Sequence, residues 1–530
     1  MLRFGTDGVR GDADNDLPNR FVVALGRAVA RVLAPERVLV GRDTRASGPR
    51  IEAALTAGLD SEVVEAVSLG VLPTPAIAFV AATRGVPAAI VSASHNRWSD
   101  NGVKVIGADG RKLADGIEAA IEAELEVEFG STWDRRTFEY EPTAPAFAAD
   151  PAAADSYVAH LLSTLDGDGL DGLAGLDIVL DCANGAGFEV GPRVLRDAGA
   201  RVHVVHAAPD GRNINDGCGS TYPGLLQRAV VERGAALGLA LDGDGDRVIA
   251  VDERGELVDG DEIMTMTAID MHERGALRNG ALAVSVMSNL GLRRALRSRG
   301  IDVVETPVGD RHVVAAMQAR GLVLGGEQSG HIVFSEYATT GDGLLTGLRI
   351  AELVRRTNRP LSSLAAQMTR VPQVLVNVKV ARRVEVNESV ALAQAVRAVE
   401  SELGESGRVL VRGSGTEPLV RVMIEADAQS VADAAADRLR RVVISEFGSG
   451  DDGSGRLGAG EPGSRCPAGG AGAGRDPARG DRRADRRRPR SRGGDAARRR
   501  SRTARGRRRA GARREPGRPR RAPASREPGG

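Results

Sequence analysis

The chain of 530 residues is short of cysteine, of long apolar runs and of lysine. Its three cysteines are Cys182, Cys218 and Cys466. Their spacing fits neither a disulfide framework nor a zinc motif, which points to a reducing compartment. No run of ~18 apolar residues occurs, so no transmembrane helix is expected. The first residues, "MLRFGTDGVRGDAD", lack the apolar core of a secretory signal. A cytoplasmic location and no membrane partner are therefore expected. Lysine occurs only at Lys104, Lys112 and Lys379, among 72 basic residues. Arginine serves wherever a plain positive charge suffices. A lysine at 104 thus points to an ammonium with a tunable pKa, suited to acid–base work. Chance retention is the competing explanation.

What is present divides the chain in two. The net charge of +1 averages opposite halves. Residues 449–530 carry 25 arginines, no lysine and nine acidic residues, a balance of +16, and the rest stands at −15. The tail has almost no large apolar residues, so it cannot bury enough surface to offset its chain entropy, and disorder is expected. An Arg/Gly/Ala/Pro alphabet also suits a frameshift or fusion product. Non-specific binding of nucleic acid by the arginines is the competing reading. The remaining body is long enough for three or four domains of ~150 residues. Apolar runs of strand length, such as "LDIVLDC" and "LGLALD", alternate with helical patterns such as "NRFVVALGRAVARVL". That alternation predicts α/β layers. Composition places units at 1–150, 151–252, 253–370 and 371–447, then the tail at 448–530. The Ala/Pro-rich segment Thr143–Asp155 reads as a linker entering a helix. The fourth unit is smallest and has a strand–helix–strand–strand–helix pattern.

Four loops carry chemistry. In "LDGDGDR", Asp242, Asp244 and Asp246 recur at every second residue. Three unpaired carboxylates repel one another, and a hard divalent cation, Mg²⁺ or Ca²⁺, resolves the repulsion. An EF-hand is disfavoured because its sixth position needs glycine and here is Arg247. Arg247 fits better as a phosphate clamp beside the metal. The stretch "SASHN" (Ser92–Asn96) follows the apolar run "PAAIV", and its serine hydroxyls need an activating partner elsewhere. In "VRGSGTEPLVR", Arg412, Ser414, Gly415, Thr416 and Arg421 make a phosphate cradle, with a plain β-turn as the alternative. In "GGEQSGHI", Glu327, Ser329 and His331 share one face if the chain is extended, a grip for sugar hydroxyls or an amine. A polar hairpin with a structural histidine is the alternative.

Together "FGTDGVRG", "SASHN", "DGDGDR", "GGEQSGH" and "RGSGTEP" resemble, in order and spacing, the α-D-phosphohexomutase superfamily across Met1 to about Phe447. "DCANGAG", "PDGRNINDGCGSTYP" and Gln328 resemble its branch acting on glucosamine phosphates more than its phosphomannomutase/phosphoglucomutase branch, which remains the alternative. The resemblance implies three α/β domains with mixed sheets and a smaller C-terminal α+β domain. It implies a phosphoserine at Ser94, and one Mg²⁺ per subunit on Ser94, Asp242, Asp244 and Asp246. The implied reaction interconverts glucosamine 6-phosphate and glucosamine 1-phosphate through glucosamine 1,6-bisphosphate, feeding UDP-N-acetylglucosamine and cell-wall synthesis. Arg10 and Arg247 would support phosphoryl oxygens, Lys104 and His331 act as base and acid, and His95 orient the loop. Glu327 and Ser329 would hold sugar hydroxyls, and residues 412–421 the distant phosphate. A homodimer is implied by resemblance alone. One departure stands out: the superfamily usually has proline after "SHN", and here Arg97 is followed by Trp98.

Overall fold

The computed structural model describes residues 8–129, 149–166, 172–413 and 418–448. The chain divides into two units, Met1–Gly458 and Ala459–Gly530, and every described residue lies in the first. Ser414, Gly415 and Thr416, the tail from 449, and the linker before Ala149 lie outside the described residues.

The first domain holds β1 (Val9–Asp12), α1 (Asn19–Leu33), β2 (Arg37–Arg42), α2 (Gly48–Ser61), β3 (Glu65–Val71), α3 (Thr74–Arg84), β4 (Ala88–Val91), β5 (Asp100–Ile106) and α4 (Asp115–Phe129). The run "AAIV" of β4 is buried throughout, as a strand covered on both faces must be. Helix α1 buries Phe21, Val22, Leu25 and Val29 on one stripe. Each such side chain contributes roughly 1.5–3 kcal/mol of transfer free energy.

The second domain follows with α5 (Pro151–Ser163), β6 (Asp177–Asp181), α6 (Val190–Asp197), β7 (Arg201–Val205), α7 (Gly224–Arg233), β8 (Leu237–Leu241), β9 (Val248–Asp252) and β10 (Leu257–Val258). Strand β10 pairs with β9, so this sheet runs on to Val258. The composition boundary at 252 falls short because the charged run "DERGE" is the turn between the two strands. The third domain begins at the capping box of Asp259 and Glu262. It holds α8 (Gly260–Glu273), β11 (Ala281–Ser285), α9 (Leu290–Arg297), β12 (Asp302–Thr306), α10 (Asp310–Arg320), β13 (Leu324–Gly326), β14 (Ile332–Phe334), α11 (Gly343–Thr357) and α12 (Leu361–Ala365). The fourth holds β15 (Gln373–Lys379), α13 (Val390–Leu403), β16 (Gly407–Gly413), β17 (Leu419–Ala426) and α14 (Gln429–Phe447), with its three strands antiparallel in the order β15–β17–β16.

The first three sheets repeat one topology. Each contains a four-strand unit, ordered β3–β2–β4–β5, β7–β6–β8–β9 and β12–β11–β13–β14; β1 adds antiparallel beside β5, and β10 beside β9. In each, three strands run parallel with helical crossovers, and a fourth returns antiparallel. The loop from third to fourth strand leaves the carboxyl edge of the sheet, where ligands bind in open α/β folds. That loop holds residues 92–99 in the first domain, 242–247 in the second and 327–331 in the third. Ile77, Leu241, Leu324 and Leu348 belong to one apolar core that runs through all three. The fourth domain has its own core around Val422, Ile424 and Leu439. It joins the third through polar contacts: Arg408, held by its neighbour Glu425 at 2.7 Å, donates to the Val286 and Ser288 carbonyls, and Glu425 accepts from Leu290 N–H.

Candidate active site

The β4–β5 loop brings Ser94 against the second domain. Ser94 is buried, and its Oγ donates to Asp242 Oδ2 at 2.7 Å. His95 Nδ1 lies 3.3 Å from the same oxygen. Burial, then Arg247 and Arg10, lower the His95 pKa, so its imidazole is held neutral. Ser94 has φ +52°, a left-handed conformation that costs a non-glycine residue about 1–2 kcal/mol. Hydrogen bonds hold it there. Ser94 N–H donates to Ser92 Oγ, whose own hydroxyl donates to Asp43 at 2.6 Å.

The β8–β9 loop gathers the three carboxylates. Asp242, Asp244 and Asp246 are buried, and their ligand oxygens lie within 4.8 Å of one another. Burial, with Asp246 and Asp244 adding repulsion, pushes the Asp242 carboxyl well up. Burial also opposes charge on Asp244, but Lys104, the Thr74 hydroxyl and Arg10 hold it well below the usual range. Lys104 Nζ is 2.9 Å from Asp244 and 3.7 Å from Asp246. Thr74 Oγ1 donates to Asp244 Oδ2 at 2.7 Å. Asp244 Oδ1 and Asp246 Oδ1 are buried with no hydrogen-bond partner among the described residues. Two orphaned oxygens in an all-carboxylate donor set fit a hard divalent cation. Between the acids, Gly243 touches the first domain: a Cβ there would lie 2.6 Å from the Ser94 carbonyl oxygen.

Arg247 sits at the end of the same loop. Its N–H donates to Asp242 Oδ1, and Nε is 3.7 Å from Asp246. Burial opposes its charge, but the three acids and Glu327 outweigh it and raise its pKa. Arg10 lies on β1 opposite Gly102, where its charge acts on His95 and Asp244. The third-domain loop departs from the extended face expected for Glu327, Ser329 and His331. It is a tight hairpin, closed by Glu327 N–H to the His331 carbonyl and Gly330 N–H to the Glu327 carbonyl. Glu327 accepts from Gly309 N–H at 3.2 Å, and Ser329 is exposed. His331 turns inward: Nε2 accepts from Gly341 N–H and lies 3.9 Å from Asp246. In the fourth domain Arg412 and Arg421 are directly opposed across β16 and β17. Like charges so placed repel, and burial with Arg421 lowers the Arg412 pKa. An anion between them relieves this.

Two residues escaped sequence reasoning. Arg45, fully buried, pairs with Asp43 at 2.9 Å. Its guanidinium donates to the carbonyls of Ser94 and Asn96 at 2.8 Å, of Asp100 at 2.9 Å, and of Arg97. Asn215 Nδ2, from the second domain, donates to the same Ser94 and Asn96 carbonyls at 2.9 and 3.0 Å. The Ser94 loop is thus clamped from both sides. A signal existed: "RDTR" (Arg42–Arg45) puts four polar residues at the carboxyl end of a buried parallel strand, the ligand edge of such sheets. Arg97 points to solvent, and Trp98 lies under Arg212 at 5.3 Å.

Models of the four phosphoglucomutase/phosphomannomutase domains match residues 1–129 (alpha/beta/alpha domain I), 155–255 (II), 259–371 (III) and 375–442 (C-terminal domain). Phosphoglucosamine mutase of Salinispora arenicola is 48% identical over 446 residues, 82% of this chain and 97% of the relative. That of Frankia casuarinae is 49% identical over 464 residues, 84% and 98%. A phosphoglucomutase/phosphomannomutase family protein of Burkholderia thailandensis shares the fold at TM-score 0.68 and 24% identity, covering 83% of this chain and 97% of that one. So does Aspergillus fumigatus N-acetylphosphoglucosamine mutase in complex with GlcNAc-6P and magnesium, at TM-score 0.59 and 21% identity, covering 84% and 96%.

Proposed function

The chain belongs to the phosphoglucosamine mutase family, and from that membership we propose that it interconverts glucosamine 6-phosphate and glucosamine 1-phosphate by way of a phosphorylated Ser94. The observation that carries this reading is Ser94 Oγ at 2.7 Å from Asp242, beside two orphaned carboxylate oxygens. The Ser94 phosphoryl group moves to the 1-hydroxyl oxygen of glucosamine 6-phosphate. One P–O bond breaks at Oγ, one forms at the sugar, and the hydroxyl proton passes to a base. The resulting 1,6-bisphosphate turns end for end and returns its 6-phosphate to Ser94, releasing glucosamine 1-phosphate. The product would feed UDP-N-acetylglucosamine synthesis in the cytoplasm, and a homodimer goes with the same reading.

Asp242, Asp244, Asp246 and an oxygen at Ser94 would hold Mg²⁺, which when bound neutralises charge on the transferring group. His95, neutral and beside Oγ, orients the loop. Arg10 and Arg247 support phosphoryl oxygens. Lys104 and His331 exchange protons with the sugar hydroxyl. Lys104 is paired with Asp244 and must first give up a proton to serve as a base, and His331 Nε2 must release the Gly341 N–H before taking one. Glu327 and Ser329 hold hydroxyls common to both orientations of the sugar. Arg412, Ser414, Gly415, Thr416 and Arg421 hold the phosphate that is not reacting. The tail after Phe447 takes no part in this scheme. The test is a coupled assay for glucosamine 1-phosphate with a trace of bisphosphate. Wild type should turn over and Ser94→Ala should not. Equal turnover on mannose or glucose 6-phosphate would pass the protein to the phosphomannomutase/phosphoglucomutase reading.

A further inference from the structure

The second sheet carries another convergence of ligand atoms outside the carboxylate loop. Asp181 ends β6, His206 follows β7, and Cys218 lies in the loop that precedes α7. Strands β6 and β7 run parallel with Asp181 opposite Val205, so the imidazole emerges next to the carboxylate. The carboxylate oxygen, imidazole nitrogen and thiol sulfur all lie within 4.8 Å of one another. His206 Nδ1 pairs with Asp181 Oδ2 at 3.0 Å, a contact that a shared metal would replace.

We propose that Asp181, His206 and Cys218 form a binding site for a zinc-class divalent metal, separate from the magnesium loop. The donor set decides the class. Carboxylate oxygens alone favour hard cations, whereas thiolate with imidazole favours Zn²⁺ or Co²⁺. The outer contacts are those of a metal site. Asp181 Oδ1 accepts from Ala183 N–H at 2.8 Å and Oδ2 from Gly219 N–H at 3.0 Å, which fixes the carboxylate plane. Asn184 Nδ2 approaches Cys218 Sγ at 3.9 Å. Asp181 and Cys218 are fully buried, while His206 keeps 22% of its side chain in solvent, an entry path and room for a water as fourth ligand. Zinc bonds of about 2.0–2.3 Å require the three donors to draw together around the ion. Asn215 stands three residues before Cys218 and donates to the Ser94 carbonyl, so a metal here stiffens the loop that clamps the nucleophile.

The test is Co²⁺ titration of the full chain, read by thiolate-to-cobalt charge-transfer absorption and the visible bands of a tetrahedral centre. Cobalt in the carboxylate loop gives neither, since its donors are oxygens. The expected result is one equivalent of the charge-transfer species. Cys218→Ser should abolish it, His206→Gln should weaken it at least tenfold, and Cys182→Ser should leave it intact. In unmodified protein, Zn²⁺ should slow alkylation of Cys218 at least tenfold, a readout that stands even if a variant fails to fold. Absence of the band in wild type, its survival in Cys218→Ser, or alkylation unaffected by zinc would overturn the site.

Discussion

The β4–β5 and β8–β9 loops occupy the same place in two copies of one topology, yet cations meet them at different atoms. The Ser94 loop is gripped by its backbone: Arg45 and Asn215 take its carbonyls, and the Ser94 hydroxyl is left to face Asp242. The carboxylate loop is also held at its backbone, by the Thr74, Ala186 and Gly343 N–H groups, but its cations, Lys104 and Arg247, meet side chains. The difference follows from what each loop must spare. A nucleophile that gains and loses a phosphoryl group, the role proposed for Ser94, cannot also be a structural tether, so the backbone takes that task. Carboxylates crowded within 4.8 Å repel one another, so cations must meet the side chains themselves.

Three substitutions sharpen or break this contrast. The largest effect is expected from Asp244→Ala, which removes a proposed metal ligand and the nearer carboxylate beside Lys104. Turnover should fall by three orders of magnitude or more, with magnesium dependence lost in an activity titration. Arg45→Met comes next. It removes a buried guanidinium and leaves Asp43 unpaired, a change that costs roughly 3–5 kcal/mol. Turnover should fall about a hundredfold while magnesium affinity, followed by calorimetry, changes less than threefold. If magnesium affinity falls in step with turnover, the loops are one unit and the contrast is false. The smallest effect is expected from Arg97→Pro. Arg45 uses the carbonyl of residue 97, which proline retains, and among the described residues the Arg97 N–H makes no backbone hydrogen bond. Activity within about twofold of wild type would place the constraint on carbonyls.

Much of this was legible in the sequence, for identifiable reasons. Buried strands announce themselves as apolar runs, and β4 and β8 are buried at every position. The carboxylate loop announces itself by charge, because three alternating aspartates have few uses other than a cation. Arg45 and Asn215 were harder. A carbonyl that receives a clamp carries no side-chain signature, and the donors lie 49 and 121 residues from Ser94. The hairpin at Glu327–His331 read as extended because alternation was weighed above the turn glycine. Gly330 has φ +88°, and a Cβ on it would lie 2.1 Å from the Val248 carbonyl oxygen. Cys218 looked inert by spacing, since strand ends, not sequence neighbours, bring it to His206 and Asp181.

The bare α-carbon of Gly243 turns a chemical requirement into a mechanical tolerance. With no side chain between them, the two backbones set their gap by atomic radii alone, which no rotamer change can alter. The reach from hydroxyl to carboxylates is thus indifferent to drift in the surrounding sequence. A single methyl group at residue 243 would act as a shim, prising nucleophile and acids apart by most of an ångström.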